Sequence, residues 1–427
     1  MTPPYFSAMA RRAHEPPISW LMRLKLERPD LISLAAGFTD DETLPVRHVR
    51  ALVNRLLARA TAGRAALQYG TTAGLPALRS LLLDRLRQQD EASYEKLTVD
   101  DVVITNGSQQ LLYLITEVLC DPGDVVLVED PTYFVYLSIL QARGVRTATF
   151  ASPADLSAKL DALQKRGWLP RLKLVYLVTY FRNPTGHTWS WPMKEEAWRI
   201  LRRYERAAGH PIFVLEDAAY RDLRFDGEDV PSFLKLDPGN RRVLYTNTLT
   251  KPFATGLKVG YGILPAPVRR AVLRAKGNHD FGTANFLQAI LARALEDGVY
   301  QNHLQRLAQT YRRKCHTLAA ALGEQFPHEI PEGGLYIWTQ TPNSEPTGFR
   351  SRLFQRALRA GVLYVPGELC YAEDPSRPVP RHFLRLSFGA PTLAQIREGV
   401  RRLQAALRSS EPSETGRRGQ PVAVAPK

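Results

Sequence analysis

The chain has 427 residues, 44% of them hydrophobic and 23% charged, enough to bury one large core or two moderate ones, so two subdomains are expected rather than a string of modules. No apolar run reaches the roughly 20 residues that span a bilayer, and "MTPPYFSAMARRAHEPPIS" lacks the apolar stretch of a signal peptide, so a soluble, cytoplasmic protein with no membrane partner is expected. The net charge of +15 comes mainly from arginines scattered among leucines, as in "RSLLLDRLRQQ" and "RLFQRALRA", which read as solvated helix faces, and no nucleic-acid partner is expected.

The alternation of strand and helix begins at "DVVITNG", a β-branched run ending in Gly107. "SQQLLYLITEVL" follows with helical spacing of Leu111, Leu112, Ile115 and Leu119, and "DPGD" turns the chain. Further buried strands are read in "VVLVED", "VRTATF", "LKLVYLVT", "PIFVLED", "RVLYTNT" and "VGYGILP", several followed by amphipathic stretches. This is α/β order with a mainly parallel sheet. From Glu296 the pattern changes to long arginine-rich helices and then to "GGLYIWTQ" and "HFLRLSFGA", the strands of a smaller α+β unit. The end, "SSEPSETGRRGQPVAVAPK", is polar and aperiodic and is expected to be a disordered tail. Cys120, Cys315 and Cys370 stand far apart with no CxxC, so buried inert thiols are expected, with no disulfide framework and no metal site.

Ligands of such sheets collect beyond the carboxyl ends of the strands, and five loops there carry unusual residues. "TNGSQQ" places Gly107 and Ser108 where a helix begins, so free amides and the helix dipole can hold an anion; taken alone, Ser108 is an ordinary N-cap. "EDPTYF" offers Tyr133, an aromatic face or a packed core tyrosine. "RNPTG" supplies the Asn183 amide, and "EDAAY" ends a buried strand with the Asp217 carboxylate three residues before Tyr220. A carboxylate there is costly unless a cation meets it, and a structural salt bridge would serve. "LTKPFATGLKVGYG" puts Lys251 at the end of a strand, where burial near other cations would leave its amine nucleophilic toward an aldehyde; taken alone, it is a surface lysine.

The ordered set "NGSQQ", "DPTYF", "RNPTG", "EDAAY", "TLTK", "GLKVGYG" and "RLSFGAP" resembles the class I and II aminotransferases, pyridoxal-phosphate enzymes of fold type I, and most of all the kynurenine, 2-aminoadipate and broad-specificity branch. The likeness runs from "LISLAAGF" to about Arg408. It implies a large domain over 46–295 with a mainly parallel seven-stranded sheet flanked by helices. A smaller α+β domain would be built from both chain ends, with 1–45 packing against 296–408 and a tail over 409–427. It implies pyridoxal 5'-phosphate as cofactor, and transfer of an amino group from an L-amino acid to a 2-oxo acid by a ping-pong route.

The resemblance also implies roles. Lys251 joins the cofactor aldehyde and then moves a proton. Asp217 pairs with the ring nitrogen, Asn183 and Tyr220 bond the ring hydroxyl oxygen, and Tyr133 stacks on the ring. Gly107 and the amides of Ser108 and Gln109, with the hydroxyls of Thr248 and Thr250, hold the phosphate, and Tyr69 reaches it from the partner of a homodimer. Arg385 clamps the substrate carboxylate, helped by Asn183, with Gly37 and Phe38 on the substrate side. Lys258 stands where the family usually has a phosphate-binding arginine, and "AAGFTDDETLP" lacks the proline usual two residues after the glycine. Phe38, Trp20 and Tyr371, or Arg11, Arg12 and Arg23, are alternative determinants of the side-chain pocket. A lyase or decarboxylase of the same fold is the alternative reaction. A non-catalytic regulator with a winged helix is a third reading, disfavoured because the stretch before Val46 is too short for one.

Overall fold

A computed structural model describes residues 5–374 and 377–408; the expected tail lies outside the described residues. Seven strands form the central sheet: β2 (Val102–Asn106), β3 (Val125–Glu129), β4 (Arg146–Phe150), β5 (Leu172–Val178), β6 (Phe213–Asp217), β7 (Val243–Thr248) and β8 (Val259–Ile263), in the order β2-β8-β7-β6-β5-β3-β4. β7, β6, β5, β3 and β4 run parallel, and β8 is antiparallel to both β2 and β7, which makes β2 parallel to the rest. β2, β3 and β5 are almost continuously buried because helices cover both faces, which is why they read as unbroken apolar runs and not as alternating ones.

This direction pattern positions the site. The loops after β2, β3, β5, β6 and β7 all leave one edge of the sheet, and the antiparallel β8 starts from that same edge. Lys251 lies just after β7 and Lys258 just before β8, so the two lysines reach one cleft although seven residues apart. Gly260 allows it: a Cβ there would collide with the Ser108 amide and the Gly107 backbone, so only glycine lets β8 pass this close to the first turn of the following helix.

A two-stranded parallel pair joins β1 (Ile32–Ser33) to β10 (Val362–Leu363), so the first part of the chain is stitched to the last. An antiparallel sheet follows, with β12 (Phe383–Ser387) between β9 (Tyr336–Gln340) and β11 (Val365–Pro366). Helices Val299–Leu322 and Leu393–Arg408 pack on each other beside it. The short helix Ala8–Arg12 lies instead on helix Phe134–Arg143, with Arg12 Nε donating to the Ala142 carbonyl at 3.2 Å. Among the described residues no helix is long and apolar enough to cross a membrane.

Candidate active site

The site is built from the strand ends inward. Helix Gly107–Leu119 begins directly after β2; its cap position is Asn106, which makes no side-chain capping bond. Ser108 is therefore inside the first turn, not an N-cap, and Gly107 takes the left-handed φ of 71° that glycine tolerates best. Free amides at the head of a thirteen-residue helix form an anion cradle. Thr248 and Thr250 are buried beside it, both hydroxyls directed at the Val259 carbonyl, at 3.1 and 3.4 Å. Lys258 is exposed, with φ of 52°. Gln109 is exposed at the head of the same helix.

Lys251 is partly buried, and its Nζ donates to the Gly37 carbonyl at 2.6 Å. Burial holds its ammonium below the usual lysine range; Tyr336 opposes that shift, while Arg385 and Lys258 add to it. An amine that is readily neutral is a nucleophile and a base, which an exposed lysine at neutral pH is not.

Asp217 ends β6, 4% exposed, and its donors are neutral: the Tyr176 hydroxyl on Oδ2 at 2.8 Å and the Ala219 amide on Oδ1 at 3.1 Å. Burial pushes this carboxyl up to about 6, against the pull of those two bonds. The salt-bridge reading of Asp217 is not what the fold provides, since among the described residues no cation is one of its hydrogen-bond donors. A buried carboxylate kept apart from cations is poised for one brought by a ligand.

Arg385, on the middle strand β12, reaches across from the other sheet. Its Nη1 donates to Asn183 Oδ1 at 2.7 Å and its Nη2 to the Ala35 carbonyl at 2.7 Å, while Nε is buried with no partner among the described residues. Its guanidinium lies 4.0 Å from the centre of the Tyr336 ring. The orphaned Nε–H is the donor a substrate carboxylate would take up. From Asn183 the chain of bonds continues: Nδ2 to the Tyr220 hydroxyl at 3.4 Å, and that hydroxyl 3.3 Å from the Tyr336 hydroxyl. Tyr133 is partly buried beside this group, its phenol raised by burial and by Tyr336 and Asp217.

The cleft thus collects Lys251, Asp217, Asn183, Tyr220, Tyr133, Arg385, Gly37 and the phosphate cradle. Phe38 follows on the Gly37 loop, 37% exposed. The loop lacking its usual proline is fixed by another device: Asp40 pairs with Lys314, whose Nζ also donates to the Gly389 carbonyl at 2.9 Å, and Asp40 caps the short turn Asp41–Thr43. Tyr69 does not enter its own cleft. It is 84% exposed and packs edge-on against Phe281, itself 57% exposed. Trp20 is buried against Phe349 and Phe354, Tyr371 lies near Trp338 and Phe383, and Arg23 pairs with Glu15.

Two residues of the site escaped the sequence reading. Tyr336 touches Tyr220 and underlies Arg385, and a Cβ on Gly37 would collide with its hydroxyl. The available signal was the glycine pair in "GGLYIW": Gly333 and Gly334 lie against Phe181 in the Asn183 loop, where any side chain would clash. Tyr176 lies mid-strand in "LKLVYLVT", where nothing in the pattern marks it.

The donor set fits pyridoxal phosphate: an amide cradle for phosphate, a buried carboxylate awaiting a cation, and an amine with a depressed pKa for an aldehyde. The comparisons agree. The family model of aminotransferase class I and II matches residues 29–403. The chain is similar to an aromatic-amino-acid aminotransferase of Thermococcus litoralis, 34% identical over 93% of both chains, and to a 2-aminoadipate transaminase of Thermus thermophilus, 30% identical over 94% of this chain and 96% of that one. A crystal structure of Pyrococcus horikoshii kynurenine aminotransferase, in complex with PMP, superposes with a TM-score of 0.85 at 29% identity, covering 94% and 96% of the two chains. The chain belongs to the class I and II aminotransferases, is of fold type I, and uses pyridoxal phosphate to move amino groups.

Proposed function

We propose that the cleft residues divide the transamination as follows, the carrying observation being one pocket that holds a depressed amine, a cation-free buried carboxylate and an arginine with an orphaned Nε–H. Bound pyridoxal phosphate supplies an aldehyde and an electron-accepting ring. The Ser108 and Gln109 amides at Gly107, the Thr248 and Thr250 hydroxyls and the Lys258 charge hold the phosphate. Tyr133 covers the ring, Asn183 and Tyr220 hold its hydroxyl oxygen, and Asp217 keeps its nitrogen protonated. Arg385 takes the substrate carboxylate on Nε and Nη, fixing the α-carbon where Lys251 Nζ removes the α-proton and later returns one. Tyr336, stacked on the guanidinium, fixes the orientation of that clamp.

We also propose a homodimer in which the partner subunit's Tyr69 completes each phosphate site. Tyr69 and Phe281 form an exposed aromatic pair, an expensive surface for a monomer. The large domain is assigned to 46–295 and the small one to 296–408. Strand β1 supports joining the N-terminal stretch to the small domain, whereas helix Ala8–Arg12 rests on the large one. Three buried, unpaired cysteines suit a cytoplasmic location. The amino donor is proposed to be aromatic: Phe38 is exposed on the cleft loop, Arg12 and Arg23 are engaged elsewhere, and a relative at 34% identity is named for aromatic amino acids.

The test is a half-reaction. Enzyme mixed with phenylalanine or tyrosine and no oxo acid should convert one equivalent of cofactor to pyridoxamine phosphate and stop, and 2-oxoglutarate should restart it. Continued release of ammonia or carbon dioxide from the donor alone would sink this reading in favour of a lyase or decarboxylase. For the dimer, mixing Tyr69→Ala with Lys251→Ala subunits should restore some activity; none after verified exchange would place Tyr69 outside the site.

A further inference from the structure

Tyr176 and Asp217 stand on neighbouring parallel strands, with Tyr176 opposite Leu215 and Val178 opposite Asp217. Side chains two apart share a face, so the Tyr176 phenol lies on the Asp217 side of the sheet, and its hydroxyl donates to Oδ2 at 2.8 Å. Behind it the Tyr136 ring packs with centroids 4.0 Å apart. Tyr136 cannot replace it as a donor: its hydroxyl is 3.1 Å from Thr116 Oγ1, whose own hydrogen goes to the Leu112 carbonyl at 2.8 Å, so the Tyr136 proton goes to Thr116.

The titratable groups that influence the carboxylate are Tyr176 from β5, Tyr133 and Tyr136 from the segment after β3, and Glu216, the adjacent residue on the opposite face of its own strand. Glu216 is already paired with Lys194 at 2.8 Å. Burial keeps the Tyr176 phenol well above its usual range, so it remains a neutral donor at working pH.

We propose that Tyr176 is a positioning residue that sets how one proton is shared between Asp217 and the ring nitrogen of pyridoxal phosphate. The inference rests on the assignment of Asp217 to that nitrogen. A donor on Oδ2 makes the carboxylate less basic, so the proton stays on the ring, where it draws electrons from the reacting carbon. Without the donor the carboxylate gains basicity and takes the proton.

The experiment loads the enzyme with pyridoxal phosphate carrying heavy nitrogen in its ring and reads that nitrogen's magnetic resonance shift, which differs between protonated and neutral rings. Tyr176→Phe should move the shift toward the neutral value, the proton equilibrium changing about tenfold, as expected for loss of a hydrogen bond to a charged group. It should lower kcat with little change in KM for the amino donor. Tyr136→Phe, which removes a hydroxyl that does not reach the carboxylate, should leave the shift alone. Where Tyr176→Phe does not fold, fluorotyrosine at position 176, a stronger donor, should move the shift the opposite way. A wild-type shift in the folded Tyr176→Phe or fluorotyrosine enzyme overturns the proposal. Asp217→Asn separates it from its premise: if that variant keeps a protonated ring, the assignment of Asp217 fails first.

Discussion

The wall of the cleft after β6 and the wall formed by the turn between β7 and β8 hold their charges by opposite means. Around β6 lie Glu216, Asp217, Arg221 and Asp222, all buried or nearly so. Glu216 has Lys194, the Thr179 hydroxyl and the Phe233 amide, each at 2.8 Å. Arg221 is 2.6 Å from Asp90 and 2.9 Å from Asp229. Asp222 takes Arg85 at 2.8 Å, with Gln89 and Tyr300 at 2.7 Å. Of the three carboxylates, Asp217 alone is given only neutral donors among the described residues. In the other wall, Lys251 meets a carbonyl and Lys258 faces solvent, two like charges brought together. Saturating the neighbours of Asp217 leaves it as the carboxylate without a cation, whereas the β7–β8 turn leaves Lys258 open to solvent and Lys251 as an amine that burial makes readily neutral.

The comparison breaks most severely at Arg221. Arg221→Met would leave Asp90 buried with the Tyr94 and Ser232 hydroxyls but no cation, and losing one member of a buried pair typically costs about 3–5 kcal/mol. Urea unfolding of the cofactor-free protein should show that loss. A change under about 1 kcal/mol would mean that the network does not hold the β6 wall.

Asp217 should behave in the opposite sense. Its folded carboxyl lies near 6 and an unfolded one near 3.8, so between those values the folded chain binds more protons. The stability tied to the protonated form is complete below about pH 4 and is lost as pH rises through about 6, a swing of roughly 3 kcal/mol at most. Cofactor-free Asp217→Asn should therefore melt above cofactor-free wild type at pH 8, with the gap narrowing toward pH 5. A variant that melts lower at pH 8 would show that Asp217 is compensated in the empty cleft.

These differences mark what the sequence made legible. The seven strands and the loops carrying Asn183, Asp217 and Lys251 could be read because buried parallel strands leave long apolar runs, and their ends carry polar residues that a core would not tolerate, whereas Arg385, in the middle of β12, is marked only by the family resemblance of "RLSFGAP". Tyr176 could not, since a tyrosine in an apolar strand looks the same whether its hydroxyl meets a carboxylate or a carbonyl, and Tyr336 is signalled only by the glycine pair before it. The pairings of Arg221 with Asp90 and of Lys314 with Asp40 join residues 131 and 274 positions apart, and no local spacing encodes them. Ser108 taken alone reads as an N-cap, but the cap position is Asn106, two residues earlier, and it makes no side-chain capping bond.

The smallest effect is expected at Lys258, where the open wall is least constrained. The lysine is exposed and holds φ of 52°, a strain that every residue with a Cβ shares, so Lys258→Ala removes the charge without relieving the backbone. If the helix amides and two threonines also hold the phosphate, as proposed, the cofactor dissociation constant should rise only about tenfold, and less at high salt, because an exposed charge is screened. Lys258→Arg should bind at least as tightly as wild type, since a planar fork offers two donors to phosphate where an ammonium offers a point charge. Turnover of the saturated enzyme should hardly change, because Lys258 adds only modestly to the field that depresses Lys251. Equilibrium titration of the three forms at low and high salt decides the matter. Equal affinities throughout would assign the phosphate to the amides of Gly107–Leu119 and the threonine hydroxyls alone, leaving Lys258 as a solvated cation that shares the edge without using it.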